Sequence, residues 1–200
     1  MATVRYPVVS HYLTLQGEGY WSGRASYFIR LAGCDVGCPW CDTKESWEIE
    51  GHPVVAVDDL ATAAMESGVP TTVITGGEPT LHDLTPLTRA LKDRGSEIQL
   101  ETSGAYALTG NFDWVTLSPK KFKPPVDSIY EHANELKVVI TNRSDFTWAE
   151  KHLRLCRTGV KPMLQPEWDS RHMLPEIVEY VKRNPDWTIS LQTHKYLNIP

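Results

Sequence analysis

The sequence predicts an α/β fold, a partial (incomplete) TIM-like barrel of about six parallel strands with reduced helix content. Three observations lead there. Short apolar, β-branched segments alternate with helix-patterned ones along the chain. Polar or glycine-rich punctuation follows the end of nearly every short apolar segment, the edge where parallel α/β folds carry their sites. The chain has 200 residues, whereas a complete eightfold barrel needs ~250.

In chain order, residues 26–32 read as a first strand, followed directly by a cysteine loop. Residues 58–68 have helical spacing, with Asp58 as a cap and Gly68 as a stop. Residues 71–75 are β-branched and short, hence a buried strand, ending at Gly76-Gly77-Glu78-Pro79. Residues 81–94 read as a helix stopped by Gly95, and residues 97–102 as a strand ending at Ser103-Gly104. Residues 114–117 form a strand before Ser118-Pro119-Lys120, and residues 121–133 show no clear helix where one is due. A strand at 136–141, a helix at 145–156, a strand at 162–165, a helix at 172–183 and a strand at 188–192 complete the reading.

The bulk numbers narrow the functional classes. An apolar fraction of 41% and a net charge of −5 suit a globular protein and offer no basic surface for nucleic acid or membrane. Residues 1–12 carry no basic segment followed by an apolar core, so no secretory signal is expected. Three cysteines are bunched and Cys156 is remote, which argues against a disulfide framework and for a reducing cytoplasm. No repeat, low-complexity tract or linker divides the chain, so residues 1–200 are expected to form one domain.

Cys34, Cys38 and Cys41 fall in the run Gly33-Cys34-Asp35-Val36-Gly37-Cys38-Pro39-Trp40-Cys41-Asp42-Thr43. Three thiols are one ligand short of the four that close a structural zinc site or saturate a cubane cluster. An iron–sulfur cluster held this way keeps one iron open to an outside ligand. Gly33 and Gly37 let backbone wrap closely around such a body, and Trp40 can shield it or stack on a ligand. The alternative is a zinc knuckle completed by His52 or Cys156, and with it a non-catalytic zinc-binding module. Cys156, inside the helical pattern, reads as a small core residue.

Other polar residues carry paired readings. Arg30 lies on a strand that otherwise reads as buried, so its guanidinium needs an anion, either a structural carboxylate or a ligand. Gln16 and Glu18 lie in a glycine-rich loop that by itself is only a turn. Asp42-Thr43 can cap a helix, or Thr43 can offer oxygen to a hard cation such as Mg²⁺. The Gly76-Gly77-Glu78-Pro79 run is either a plain turn or a close backbone approach to a ligand, with Glu78 accepting from an ammonium. Lys121 and Lys123 read as a solvated face. His194 is either a packed or a pocket histidine.

The spacing Cys34-x-x-x-Cys38-x-x-Cys41 after a first strand, with Gly76-Gly77-Glu78-Pro79 after the next, resembles the radical S-adenosylmethionine (SAM) enzymes. A narrower resemblance rests on Thr14-Leu15-Gln16-Gly17-Glu18-Gly19, Phe28-Ile29-Arg30-Leu31, Cys41-Asp42-Thr43, Glu101-Thr102-Ser103-Gly104, Ser118-Pro119-Lys120 and the run from Gln192 to Pro200. These are similar to the 7-carboxy-7-deazaguanine synthase family. The resemblance implies a lyase with one [4Fe–4S] cluster per chain, in which electron transfer to SAM yields methionine and a 5′-deoxyadenosyl radical. That radical takes hydrogen from C6 of 6-carboxy-5,6,7,8-tetrahydropterin; the ring contracts, ammonia is lost, and 7-carboxy-7-deazaguanine forms for queuosine and related 7-deazapurines while SAM is regenerated.

The same resemblance assigns the site residues. It gives the cluster to Cys34, Cys38 and Cys41, and SAM to Trp40, Cys41, Asp42, Gly76, Gly77, Glu78, Ser103, Ser118, Pro119, Lys120 and Gln165. It gives the pterin to Leu15, Gln16, Gly17, Glu18, Arg30, Thr75, His194 and Pro200, and Mg²⁺ to Thr43. It implies a homodimer and an electron donor such as flavodoxin. A glycyl-radical-enzyme activase shares the cysteine motif but gives no reason for Arg30, the Gln16 loop or a fixed Pro200.

Overall fold

The computed structural model describes residues 3–200, so the first two residues of the expected 1–200 unit lie outside the described residues. β1 (Arg5–Leu15) runs antiparallel to β2 (Ala25–Leu31) and, on its other side, to β3 (Val54–Ala56). The sequence pattern anticipates neither β1 nor β3. Pro7 and a register shift between Val8 and Ser10 blur the alternation of β1, and β3 has three residues. The chain continues through α1 (Val57–Glu66), β4 (Thr71–Gly76), α2 (Thr85–Asp93), β5 (Glu97–Thr102) and β6 (Trp114–Leu117). It ends with β7 (Glu135–Ile140), α3 (Ser144–Leu153), β8 (Lys161–Pro166), α4 (Leu174–Arg183), β9 (Thr188–Ile189) and α5 (Thr193–Leu197).

One sheet holds all nine strands, in the order β3-β1-β2-β4-β5-β6-β7-β8-β9. From β2 through β9 every neighbouring pair is parallel. The sheet stays open, with β3 and β9 as its edges, so the expected incomplete barrel is an open, mostly parallel sheet. Between β5 and β6 there is no helix, and between β6 and β7 only a 3-10 segment, Asp127–Glu131. The reduced helix content therefore falls where the pattern faded.

Strand alternation sorts the two faces. Ile29, Leu31, Ile74, Leu100, Leu117, Leu136, Val138 and Leu164 share one core with Leu60, Leu87, Leu91 and Ile177 of the helices. Residues on the opposite parity, Arg30, Thr75, Glu101, Lys137 and Gln165, line a cavity. Arg30 and Thr75 are register partners on β2 and β4. The polar positions on otherwise apolar strands are thus the cavity face of the sheet.

Several boundaries differ from the sequence reading for identifiable reasons. Ala56, not Asp58, is the N-cap of α1; Asp58 sits in the first turn and pairs with Arg94. The helix expected at 81–94 begins only at Thr85, with Pro86 in its first turn. A 3-10 turn, Pro79–Leu81, precedes it, held by the Glu78 side chain accepting from the Thr80 N–H. Cys156 is not inside a helix: α3 ends at Leu153, and Cys156 packs against the core just beyond it. β9 stops at Ile189 because the chain leaves the sheet, where the Thr193 N–H reaches the Gly17 carbonyl at 2.8 Å.

Candidate active site

The loops after the parallel strands surround a cavity of about 580 Å³, a size typical of small-molecule sites. Its wall on one side is the cysteine loop. Cys34, Cys38 and Cys41 all line the cavity, and Cys38 is buried. The loop is fixed by backbone: the Gly33 and Cys34 N–H groups donate to the Ser46 and Trp47 carbonyls at 2.8 and 3.0 Å. Asp35 accepts from the Tyr106 hydroxyl at 2.5 Å and from Lys123 Nζ at 2.6 Å, which ties the loop to the segments after β5 and β6. Lys123 and Lys121 therefore serve ion pairs, with Asp35 and Asp145, rather than a free solvated face.

The donor set suits a body that takes three thiolates. Neither residue weighed as a fourth zinc ligand reaches the cavity wall: His52 Nε2 bonds the Glu45 carbonyl oxygen at 2.8 Å, and Cys156 packs on the helical side of the sheet. Among the described residues, no three His, Cys, Asp or Glu side chains converge on a point that a single ion could fill. Burial pushes the Cys38 thiol up to about 11 and raises that of Cys34, so metal binding here must displace protons.

Against the cysteine loop lies the turn Gly76-Gly77-Glu78. A side chain on Gly77 would meet the Gly33 carbonyl oxygen at 2.5 Å, Cys34 Cβ at 2.6 Å and the Ser46 carbonyl oxygen at 2.7 Å. The close backbone approach is thus real, and part of what it approaches is the cysteine loop itself. The Glu78 carboxylate is buried and accepts from the Thr80 and Ser103 N–H groups and from the hydroxyls of Thr80, Thr102 and Ser103. Lys120 Nζ donates to Ser118 Oγ at 2.5 Å and lies 5.4 Å from the Trp40 ring centroid. Burial lowers the pKa of that ammonium.

The floor and far wall hold the remaining candidates. Leu15, Gln16, Gly17, Glu18, Arg30, Asp42, Thr43, Thr75, Ser103, Gln165, His194 and Pro200 all line the cavity. Pro119 does not; it is buried behind its neighbours. Arg30 Nη1 donates to Thr43 Oγ1 at 3.5 Å, its one side-chain hydrogen bond among the described residues. The structural carboxylate weighed as its partner is not bonded to it. Thr43 precedes a 3-10 turn, Lys44–Ser46, without capping it; its hydroxyl donates to Asp42 Oδ1 at 3.3 Å. Gly17 lies so close to His194 that a Cβ would sit 2.2 Å from its Nδ1. The Thr14 hydroxyl donates to a Pro200 oxygen at 3.1 Å.

Four residues that the sequence reading did not place in the site are also here: Glu101, Lys137, Gln192 and Lys195. Lys137 Nζ donates to Glu18 Oε2 at 2.7 Å and Glu101 Oε2 at 2.9 Å. Gln192 Nε2 donates to Glu18 Oε1 at 2.9 Å, and Lys195 pairs with Asp42 at 3.0 Å. Burial works against charge on Glu18, but the Lys137 ammonium and the hydrogen bonds outweigh it and hold Glu18 at about 2. Burial, reinforced by the negative charge of Glu18, raises Glu101 despite Lys137. The signal for Lys137 was available: a lysine within Glu-Leu-Lys-Val-Val-Ile is as anomalous on a buried strand as Arg30.

Behind the loop of Gln16 and Glu18 sits Glu135. Its Oε2 accepts from the Tyr20 N–H at 3.1 Å and from Trp114 Nε1 at 3.2 Å, while its buried Oε1 has no hydrogen-bond partner. Burial pushes its carboxyl up to about 7. A carboxyl raised on folding costs stability as pH climbs from its unfolded range toward the folded value, and the cost is fully present above it. Glu135→Gln is therefore expected to stabilise the fold relative to wild type by more at about pH 8.5 than at about pH 5, by an increment on the order of 1–3 kcal/mol. Urea denaturation at both pH values measures this; equal differences would show that Glu135 carries no such cost.

Comparison with known proteins agrees with this geometry. Residues 28–140 match the radical SAM superfamily. A 7-carboxy-7-deazaguanine synthase of Synechocystis sp. is 50% identical over 199 residues, covering 100% of this chain and 96% of that protein. Another, from Escherichia coli strain K12, is 38% identical, covering 98% of this chain and 100% of its own length. The crystal structure of QueE from Escherichia coli matches with a TM-score of 0.84 at 33% identity, over 95% of each chain. By family match, full-length identity and fold together, the chain belongs to the 7-carboxy-7-deazaguanine synthases of the radical SAM superfamily.

Proposed function

We propose that this cavity contracts the ring of 6-carboxy-5,6,7,8-tetrahydropterin to 7-carboxy-7-deazaguanine with loss of ammonia. The observation that carries the reading is the pairing, in one chamber, of a three-thiol wall with a polar wall of Arg30, Glu18, His194 and Pro200. Cys34, Cys38 and Cys41 would hold the [4Fe–4S] cluster. Trp40, Asp42, Gly76, Gly77, Glu78, Ser103, Ser118, Lys120 and Gln165 would surround SAM, with Pro119 supporting them from behind. When bound, the cluster and SAM supply the hydrogen-atom abstraction that starts the contraction.

The chain's own residues bind, orient and exclude water. Arg30, free of a carboxylate bond, offers its guanidinium to the substrate carboxylate. Glu18, held ionised, accepts from the N–H donors of the pterin. Leu15, Gln16, Gly17 and Thr75 shape the ring's bed, and His194 covers Gly17. Pro200 lines the same bed, and its oxygen accepts from the Thr14 hydroxyl. Thr43 offers a hydroxyl oxygen to Mg²⁺, a cation that prefers oxygen and keeps several waters. The reading also takes the chain as one domain, working in the cytoplasm as a homodimer, reduced by an electron carrier such as flavodoxin. No helix among the described residues is long and apolar enough to cross a membrane.

The decisive experiment is anaerobic reconstitution with iron, sulfide, SAM, Mg²⁺, reductant and the pterin. Formation of the deazapurine chromophore with SAM recovered intact is expected; SAM consumed without product would overturn the reading. One variant probes the thiol wall. Gly77→Ala pushes a methyl into the cysteine loop, so it is expected to retain less than about half the wild-type iron and sulfide per chain after reconstitution.

A further inference from the structure

Lys137 is a cation in the middle of a sheet. Its strand neighbours Leu136 and Val138 face the helices, so its own side chain faces the cavity floor. That side chain is 5% exposed. A buried ammonium is costly unless it is fully paired, and this one is paired twice across different elements. Glu18 comes from the loop after β1, and Glu101 comes from β5. Glu101 Oε1 also accepts from Gln16 Nε2 at 3.3 Å. One lysine thus joins the loop that carries Gln16 and Glu18 to the floor of the sheet.

Charge reaches this group from every side. Glu135 adds a third carboxyl from the same strand, and Lys120 faces Glu101 from the segment after β6. Asp42 faces Glu18 from beyond the cavity and is itself paired with Lys195. Glu18 and Glu101 therefore compete for one ammonium, and their surroundings drive their proton affinities apart. Glu18 takes two charge-oriented donors, Lys137 on one oxygen and Gln192 on the other, which fixes the plane of its carboxylate.

We propose that Lys137 is the positioning residue of the substrate pocket: its ammonium, shared with Glu101, keeps Glu18 an aimed anion that accepts from the N–H donors of the heterocycle. The proposal rests on the pterin reading above. Lys137 acts through Glu18 and touches no reacting atom.

The test is equilibrium binding of the pterin to reconstituted enzyme with SAM, without reductant so that nothing turns over, from about pH 5.5 to about pH 8.5. Lys137→Met is expected to bind about tenfold or more weakly than wild type at the acid end, with the gap narrowing as pH rises, because an unneutralised Glu18 takes up a proton. Lys137→Arg keeps the charge and is expected to keep the wild-type pH profile. The double variant K137M/E101Q is expected to bind more tightly than Lys137→Met at the acid end, because one carboxylate no longer competes to stay ionised. The change that SAM makes in the cluster's electron paramagnetic resonance spectrum is expected to be the same in all of them.

A Lys137→Met profile parallel to wild type, or a Lys137→Arg profile that follows Lys137→Met, overturns the proposal. Should Lys137→Met not fold, the Lys137→Arg profile alone decides: parallel to wild type supports the proposal, and a new acid-side loss overturns it. Wild-type enzyme that binds no pterin at any pH overturns the pterin reading and this proposal together, an outcome distinct from wild-type binding with a parallel Lys137→Met profile.

Discussion

The buried carboxylate of Glu78 holds the working edge of the sheet together. It gathers five donors from two neighbouring loops, the 3-10 turn after β4 and the Thr102-Ser103 segment after β5. The same turn is welded to the first loop by backbone, with the Gly77 and Glu78 N–H groups donating to the Leu31 and Gly33 carbonyls at 3.0 and 2.9 Å. A buried anion is tolerable only when so fully hydrogen-bonded. Once it is, the ends of β2, β4 and β5 have one relative position, and the thiols of the cysteine loop inherit it. Geometry at the thiol side of the cavity is therefore set by a carboxylate and two glycines that permit close approach.

The side of the cavity that carries Glu18 and Lys137 is organised by a different principle. There the chain uses opposite charge across long sequence separations, Lys137 with Glu18 and Glu101 and Lys195 with Asp42, and adds the neutral amide of Gln192 as a donor to Glu18. α5 is short, and its residues are half-buried or exposed. It is held by the Thr193 N–H and hydroxyl on the Gly17 carbonyl and by Tyr196 edge-on to Trp168. Few apolar contacts and several exchangeable polar ones describe a segment of low local stability, suited to admitting and covering a ligand. The cysteine loop is held by backbone bonds to the Ser46 and Trp47 carbonyls as well as by Asp35 on Tyr106 and Lys123.

Much of this was legible in the sequence because function and fold left signals at the same positions. Each parallel strand from β2 to β8 is a short apolar or β-branched run, and the segments after β2, β4, β5, β6 and β8 line the cavity. The cysteine spacing, Gly76-Gly77 and Arg30 were each anomalous enough to be read directly. What was not legible depended on long-range pairing. β1 hides because its partners, not its own alternation, make it a strand; Tyr12 stacks on Phe28 across the pair at 6.1 Å. Lys137 is anomalous on its apolar strand, but its pairing with Glu101 exists only once the sheet brings the two side chains into contact. Pro119 stands between two wall residues, yet just past the end of β6 it is buried and does not line the cavity.

The termini of the sheet have a consequence for the molecule's behaviour in crowded solution. The edges are β3, three residues long, and β9, two residues long. A free strand edge templates intermolecular pairing only if enough unpaired N–H and C=O groups lie in a row. Here Pro53 stands just before β3, and after β9 the Ser190 N–H turns back to the Leu164 carbonyl at 3.0 Å. β3, however, covers only Arg5–Pro7 of β1, so the place left for intermolecular pairing is the outer side of β1 beyond Val8 and not the two short terminal strands.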